Sequence, residues 1–206
     1  MPRSFYWLLL CLTVFPTLAA EPVVFPAHTP GSKGTVVVFS PAGAALDSGR
    51  WQRTVLRTLP EYGWNTVSAT LPAKAELLPP QLDAQPKPHY WLVNGAQGGE
   101  MVLALSEQAL PMPEGLVLLG PYHSDMEQNA LLATQLAGLG LPVLDLSSPV
   151  DHPLAKATVA ERAQASRRTG NPHYRSIHWA LDWDQSANTL AQQLWGWLKQ
   201  QRAVAK

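Results

Sequence analysis

The sequence predicts one α/β domain built on a mostly parallel sheet with helices on both faces. Three observations carry this. The runs Thr35-Val36-Val37-Val38-Phe39 and Leu116-Val117-Leu118-Leu119 are continuously apolar instead of alternating, the mark of strands buried on both faces. Segments with apolar residues on one helical face separate such runs, and glycine or proline stands at most junctions. This alternation continues to the end of the chain without a repeat, so a second domain is not expected.

In order, residues 20–34 combine Pro22, Pro26, Pro30, Gly31 and Gly34 with polar neighbours and read as an extended lead-in. The domain proper is expected over 35–202. Its first strand, 35–39, breaks at Ser40-Pro41-Ala42-Gly43. Over 48–62, Trp51, Val55 and Leu59 recur every fourth residue, which makes a one-sided helix with Gly63 as its stop. A strand follows over 64–71, then a connecting loop over 73–88 with room for one short helix. Further strands are expected at 91–93, 115–120, 141–146 and 173–181, with helices over 100–110, 126–139, 155–168 and 185–202. On the closing helix Leu190, Leu194, Trp197 and Leu198 share one stripe that should face the sheet, and Trp195 lies off it.

The first residues have a different character. Arg3, an apolar run from Phe5 to Phe15 and the small residues Thr17, Ala19 and Ala20 form the three parts of a secretory leader over 1–19, with cleavage after Ala19. The apolar run is about half the ~20 residues a membrane span needs, so no stable span is expected once the leader is removed. Cys11 is the only cysteine in the chain, which leaves an exported, periplasmic domain without disulfides. Size compensates, because a chain of this length buries about 70% of its unfolded surface. Removing Arg3 leaves 14 basic against 15 acidic residues, a net charge of −1 with no basic stripe, which argues against nucleic acid as a partner.

The most informative stretch is Tyr90-Trp91-Leu92-Val93-Asn94-Gly95-Ala96-Gln97-Gly98-Gly99-Glu100, which has the strand, sharp turn and helix start of a G-x-S-x-G nucleophile elbow. The central position reads Ala96, or Gln97 if the frame moves by one. A methyl group cannot attack a carbonyl, and a primary amide is a very poor nucleophile.

With the Ser40-Pro41-Ala42-Gly43 loop, the Gly63-Trp64 strand entry, this elbow and Leu194-Trp195-Gly196-Trp197-Leu198 in order, residues 34–202 resemble the α/β-hydrolase superfamily. More narrowly, they resemble an uncharacterised family of exported bacterial α/β-hydrolase-like proteins that lack the nucleophile serine. The resemblance implies a minimal fold with no lid domain and no room for two leading antiparallel strands. It also implies roles. Ser40, Pro41, Ala42 and Gly43 occupy the place of the oxyanion loop, although Pro41 has no N–H to donate. Gly95, Ala96, Gln97 and Gly98 form the vestigial elbow, with the Gln97 amide as the second oxyanion donor. Asp151 stands where the acid belongs, ahead of Asp145 inside a strand. The histidine belongs after the last strand, where the chain reads Ala180-Leu181-Asp182-Trp183-Asp184, so His178 is the nearest candidate and lies within the strand.

Other constellations are weaker. Asp151-His152 and His173, His178, Asp182 and Asp184 could converge on a metal, but no H-x-x-x-H or cysteine pair accompanies them, and neither metal nor cofactor is expected. Gly95-x-x-Gly98-Gly99 resembles a phosphate cradle, yet no Gly-Lys-Ser/Thr follows. Lys199 and Arg202 read as solvated helix charges, and the seven tryptophans after the leader read mainly as core.

The expectation is therefore an exported, periplasmic pseudo-hydrolase without catalytic residues, acting by binding a cell-envelope protein of a secretion, surface-assembly or signalling system. Two alternatives remain open. One is a hydrolase of esters, peptides or envelope polymers with a displaced nucleophile, Ser40 or Ser148. The other is a small-molecule or glycan binder.

Overall fold

The computed structural model describes residues 21–41, 49–72 and 78–204; the leader at 1–19 and two residues of the oxyanion loop, Ala42 and Gly43, lie outside them. Strands β1 (Val23–Phe25), β2 (Thr35–Ser40) and β3 (Asn65–Thr70) come first, with helix α1 (Arg50–Thr58) between the last two. A short α2 (Pro80–Asp83) leads to β4 (His89–Asn94), α3 (Ala96–Ser106), β5 (Gly115–Leu119) and α4 (Met126–Gly138). The chain closes with β6 (Val143–Ser147), α5 (Pro153–Arg168), β7 (Tyr174–His178) and α6 (Ala187–Val204).

The seven strands form one sheet in the order β1-β3-β2-β4-β5-β6-β7, parallel except for β1. Here the structure corrects the reading of the lead-in, because β1 pairs antiparallel with β3 through Val23 opposite Ser68 and Phe25 opposite Thr66. Three residues between Pro22 and Pro26 are too few to show a period, and only the β3 edge reveals them as a strand.

Alternate residues of each inner strand serve opposite cores. Val36, Val38, Leu92, Val117 and Leu144 pack with α1 and α6, whereas Val37, Phe39, Trp91, Val93 and Leu118 pack with α3 and α4. The predicted α6 stripe is the buried one: Leu190, Leu194, Trp197 and Leu198 are each at most 1% exposed. Six of the seven tryptophans after the leader are buried, the exception being Trp195. Gly63 stops the first helical stretch as expected, at φ 85°, with its N–H bonded to the Leu59 and Pro60 carbonyls.

This topology positions a site. From β2 the chain steps outward to β3, then returns across β2 to β4 and continues to β7 in the other direction. The switch point thus lies between β2 and β4, and the crevice beyond their C-terminal ends is bordered by Ser40 and Gly95. Among the described residues, no helix is long and apolar enough to cross a membrane.

Candidate functional site

Gly95 alone connects β4 to α3, at φ 61° and ψ −135°, a conformation strained for any residue with a Cβ. Its N–H donates to the Leu119 carbonyl (2.9 Å), and its own carbonyl accepts from Gly98 (2.9 Å) and Tyr122 (3.3 Å). The turn between β4 and α3 has its apex at Gly95, one residue earlier than the Ala96 that the sequence pattern places there. Ala96 and Gln97 are the first two residues of α3, which starts four residues before the expected Glu100, and the amide directly after the apex is that of Ala96, not Gln97. The physical reason is that the left-handed turn selects the residue without a Cβ. Among the described residues, a Cβ at Gly95 would meet only Tyr122 Cε1 at 3.6 Å, an ordinary van der Waals contact.

Gly98 and Gly99 are needed for a different reason. A Cβ at Gly98 would lie 2.8 Å from Pro121 Cβ, and one at Gly99 would overlap the Tyr122 backbone carbonyl, so α3 packs directly against the segment after β5. Gly99→Ala is expected to lower stability by about 2–3 kcal/mol, because backbone must move to admit the methyl. Equilibrium urea unfolding checks this, and a change within about 0.5 kcal/mol of zero would contradict the close approach.

Across the crevice, Asp151 lies half-buried in the loop after β6. One carboxylate oxygen accepts from the Ser148 N–H (2.7 Å), the other from the Trp183 indole N–H (3.0 Å). Its carboxylate occupies the place a side chain would take at Gly120, whose φ is 53°. Trp183 is 7% exposed and sits in the segment after β7 where the hydrolase pattern asks for histidine. The indole holds the acid as an imidazole N–H would, but it is a donor only and can never accept a nucleophile's proton. His178, the sequence candidate, is the last residue of β7, and its Nδ1 lies 3.4 Å from Ser147 Oγ. Asp151's two hydrogen bonds come from Ser148 and Trp183, so the structure does not join Asp151 and His178 as an acid and base pair. Sequence reasoning did not foresee Trp183 as the partner of Asp151, and the one signal for it was its position after the last strand.

Burial pushes the Asp151 carboxyl up from its ordinary value of 3.8, against the opposing hydrogen bonds from Ser148 and Trp183. A carboxyl raised in the folded state makes folding less favourable as pH rises from its unfolded value through its folded one. Relative to Asp151→Asn, the wild-type urea midpoint is therefore expected to rise as pH falls through that window and to level off below about 3.8. A pH-independent difference would show that the carboxylate is not desolvated.

The surrounding polar groups are occupied. Ser40 is fully buried and its Oγ accepts from Gln52 Nε2 (3.1 Å), while Ser148 Oγ donates to the Leu181 carbonyl (2.7 Å). His152 caps α5 by accepting from the Leu154 N–H (3.3 Å) and stacks on Tyr122, with ring centroids 4.3 Å apart. His123 Nδ1 accepts from the Asp125 N–H (3.1 Å). Among the described residues, no group of three histidine, cysteine, aspartate or glutamate side chains is placed to hold a metal ion. Around this crevice three apolar side chains are more than half exposed: Met126 at the start of α4 (75%), Val150 in the loop after β6 (57%) and Leu181 in the segment after β7 (54%).

Behind the crevice, Asp145 is buried inside β6. It forms a buried, two-pronged pair with Arg162 (Nε to Oδ2 2.8 Å, Nη2 to Oδ1 3.1 Å), and the Tyr174 hydroxyl donates to it at 2.6 Å.

Comparison with known proteins fits this geometry. A family model described as protein of unknown function (DUF3530) matches residues 80–200. No curated protein matches the chain. Among solved structures, Est1E from Butyrivibrio proteoclasticus is similar with a TM-score of 0.65 at 13% identity, over 88% of this chain and 94% of that one. An esterase domain from a Rhodothermus marinus protein gives 0.63 at 13% identity, over 86% and 91%. Zea mays acyl-protein thioesterase 2 gives 0.60 at 13% identity, over 86% and 99%. These neighbours are of the α/β-hydrolase superfamily, and at such identity the likeness is one of fold.

Proposed function

The chain belongs to the family described as protein of unknown function (DUF3530) and has the α/β-hydrolase fold, and from that premise we propose that it is an exported, periplasmic pseudo-hydrolase that acts by binding a cell-envelope protein. The observation that carries this reading is the pair Gly95 and Trp183: no side chain at the apex of the elbow, and a donor-only ring where a base is required. Either loss alone removes orders of magnitude in rate. A displaced nucleophile finds little support at Ser40 or Ser148, since each hydroxyl is buried and hydrogen-bonded. Binding is supported by Met126, Val150 and Leu181, apolar side chains exposed around the crevice where ligands meet open α/β sheets. Export rests on the leader pattern of residues 1–19.

The test has two arms on the protein produced with its own leader. A fluorophosphonate probe and a panel of chromogenic esters should give no labelling and no turnover. Photo-crosslinkers at Val150 and Leu181 should capture one envelope protein reproducibly, with capture lost in Met126→Asp. Labelling of a serine together with turnover would overturn the reading. Reproducible absence of a captured protein, with a small ligand or glycan that saturably changes tryptophan fluorescence, would replace protein binding with ligand binding.

A further inference from the structure

A cavity of about 620 Å³ lies at the opposite end of the sheet from Gly95, lined by Lys33, Trp64, Trp195, Lys199, Arg202 and Ala203. Lys33 and Trp64 precede β2 and β3, and the other four belong to the last turns of α6. We propose that this cavity binds a phosphate group carried on a flat or apolar body. It is separate from the crevice and independent of whether the protein is a pseudo-hydrolase.

Charge is the first argument. The chain is balanced at 15 basic and 15 acidic residues, yet among the described residues that line this cavity three are cations and none is a carboxylate. A helix C-terminus attracts basic residues through its dipole, which accounts for Arg202 on the last turn of α6 but not for Lys33, which arrives from another element. Lys33 Nζ donates to the Tyr62 carbonyl (2.7 Å), and an ammonium retains two further donors. A guanidinium and two ammonium groups match the several oxygens of a phosphate better than the two of a carboxylate.

Aromatic placement is the second. Trp195 lies off the buried stripe of α6 and is the one half-buried tryptophan among the described residues. One face is held by Tyr62, stacked with centroids 4.6 Å apart and planes 20° apart, and Lys199 Nζ lies over the ring, 5.8 Å from its centre. Trp64, 1% exposed, lies deeper. Such a ring, held by Tyr62 with the Lys199 ammonium over it, offers its apolar rim to a body whose phosphate reaches Lys33, Lys199 and Arg202. The volume is within the usual range of small-ligand pockets, about 300–1,000 Å³.

Phosphate on an apolar body could be a soluble ester or a phospholipid headgroup, and the experiment separates them. Protein produced with its own leader is titrated calorimetrically at low salt with 1-naphthyl phosphate and with inorganic phosphate, and is sedimented with vesicles of phosphatidylglycerol or of phosphatidylcholine. For a soluble ester, naphthyl phosphate binds at least about tenfold more tightly than inorganic phosphate, Lys199→Glu and Arg202→Glu each weaken it about tenfold or more, and Trp195→Ala removes the preference for the naphthyl ester. For a headgroup, phosphatidylglycerol vesicles retain the protein, phosphatidylcholine vesicles do not, and the same three substitutions abolish retention. Circular dichroism and melting confirm that these surface variants are folded. No binding to any probe, or binding unchanged in all three variants, would overturn the proposal.

Discussion

Ester hydrolysis is expected to appear in this protein only when two positions are restored together. Wild type, Gly95→Ser, Ala96→Ser and Trp183→His should each hydrolyse p-nitrophenyl acetate at the buffer rate. Gly95→Ser/Trp183→His should exceed every one of them by about 10²-fold, the lower end of what a positioned general base contributes. The reasoning runs from backbone to proton transfer. Gly95 is the residue at φ 61° between strand and helix, and among the described residues the space for a Cβ there is bounded only by Tyr122 at 3.6 Å. A serine at that apex would project its hydroxyl as a nucleophile elbow does, whereas one at Ala96 would sit on the first turn of α3. Asp151 already accepts a ring N–H from position 183. An imidazole that donates one nitrogen to Asp151 keeps the other free to accept, which an indole cannot do. The gained rate should rise with pH through the histidine range near 6.5, as deprotonation creates the base. Trp183 is 7% exposed, so each variant must be shown folded by its melting transition. A folded double variant no faster than Gly95→Ser would mean that positions 95, 151 and 183 do not form a hydrolase constellation.

That experiment also marks where sequence and structure part company. The both-face apolar runs at Thr35–Ser40 and Gly115–Leu119 and the single stripe on α6 were legible because burial imposes a period, or its absence, on residue type. The elbow was legible as a turn but not to the residue, since Gly95, Gly98 and Gly99 look alike in sequence and only the backbone separates a left-handed apex from close packing. Trp183 was invisible for the converse reason: a search for a base looks for histidine, and the position is filled by a ring that keeps the hydrogen bond and drops the basicity. Lys199 and Arg202 read as solvated charges on their own helix, because the partners that turn them into a cavity wall, Lys33 and Trp64, come from the other end of the chain. Val23–Phe25 is too short to carry any period.

Asp145 shows the same limit in the core, and Arg162→Met is expected to be the most destabilising of the substitutions considered, by about 3–5 kcal/mol. Asp145 lies in the middle of β6 between Leu144 and Leu146 and is 1% exposed; Arg162 on α5 is fully buried. The pair is fully serviced, because the guanidinium also donates to the Thr158 hydroxyl and to the Ala155 and Pro121 carbonyls, and Tyr174 supplies a further donor to the carboxylate. Methionine matches the volume but strands a charge in the core, whereas Asp145→Leu/Arg162→Met removes both charges and should recover most of the loss. Burial and the Asp145 charge hold the Tyr174 hydroxyl above its ordinary value of 10.0, so it remains a donor at neutral pH. Tyr174→Phe should cost about 1–2 kcal/mol there. A hydroxyl raised in the folded state stabilises folding below its unfolded value and loses that contribution as pH climbs past it, so the gap between wild type and Tyr174→Phe should narrow above about pH 10. Urea unfolding with unchanged m-values reads all three variants. If Arg162→Met costs less than about 1 kcal/mol, or the double apolar variant is no more stable than the single, the buried pair does not anchor α5 to the sheet.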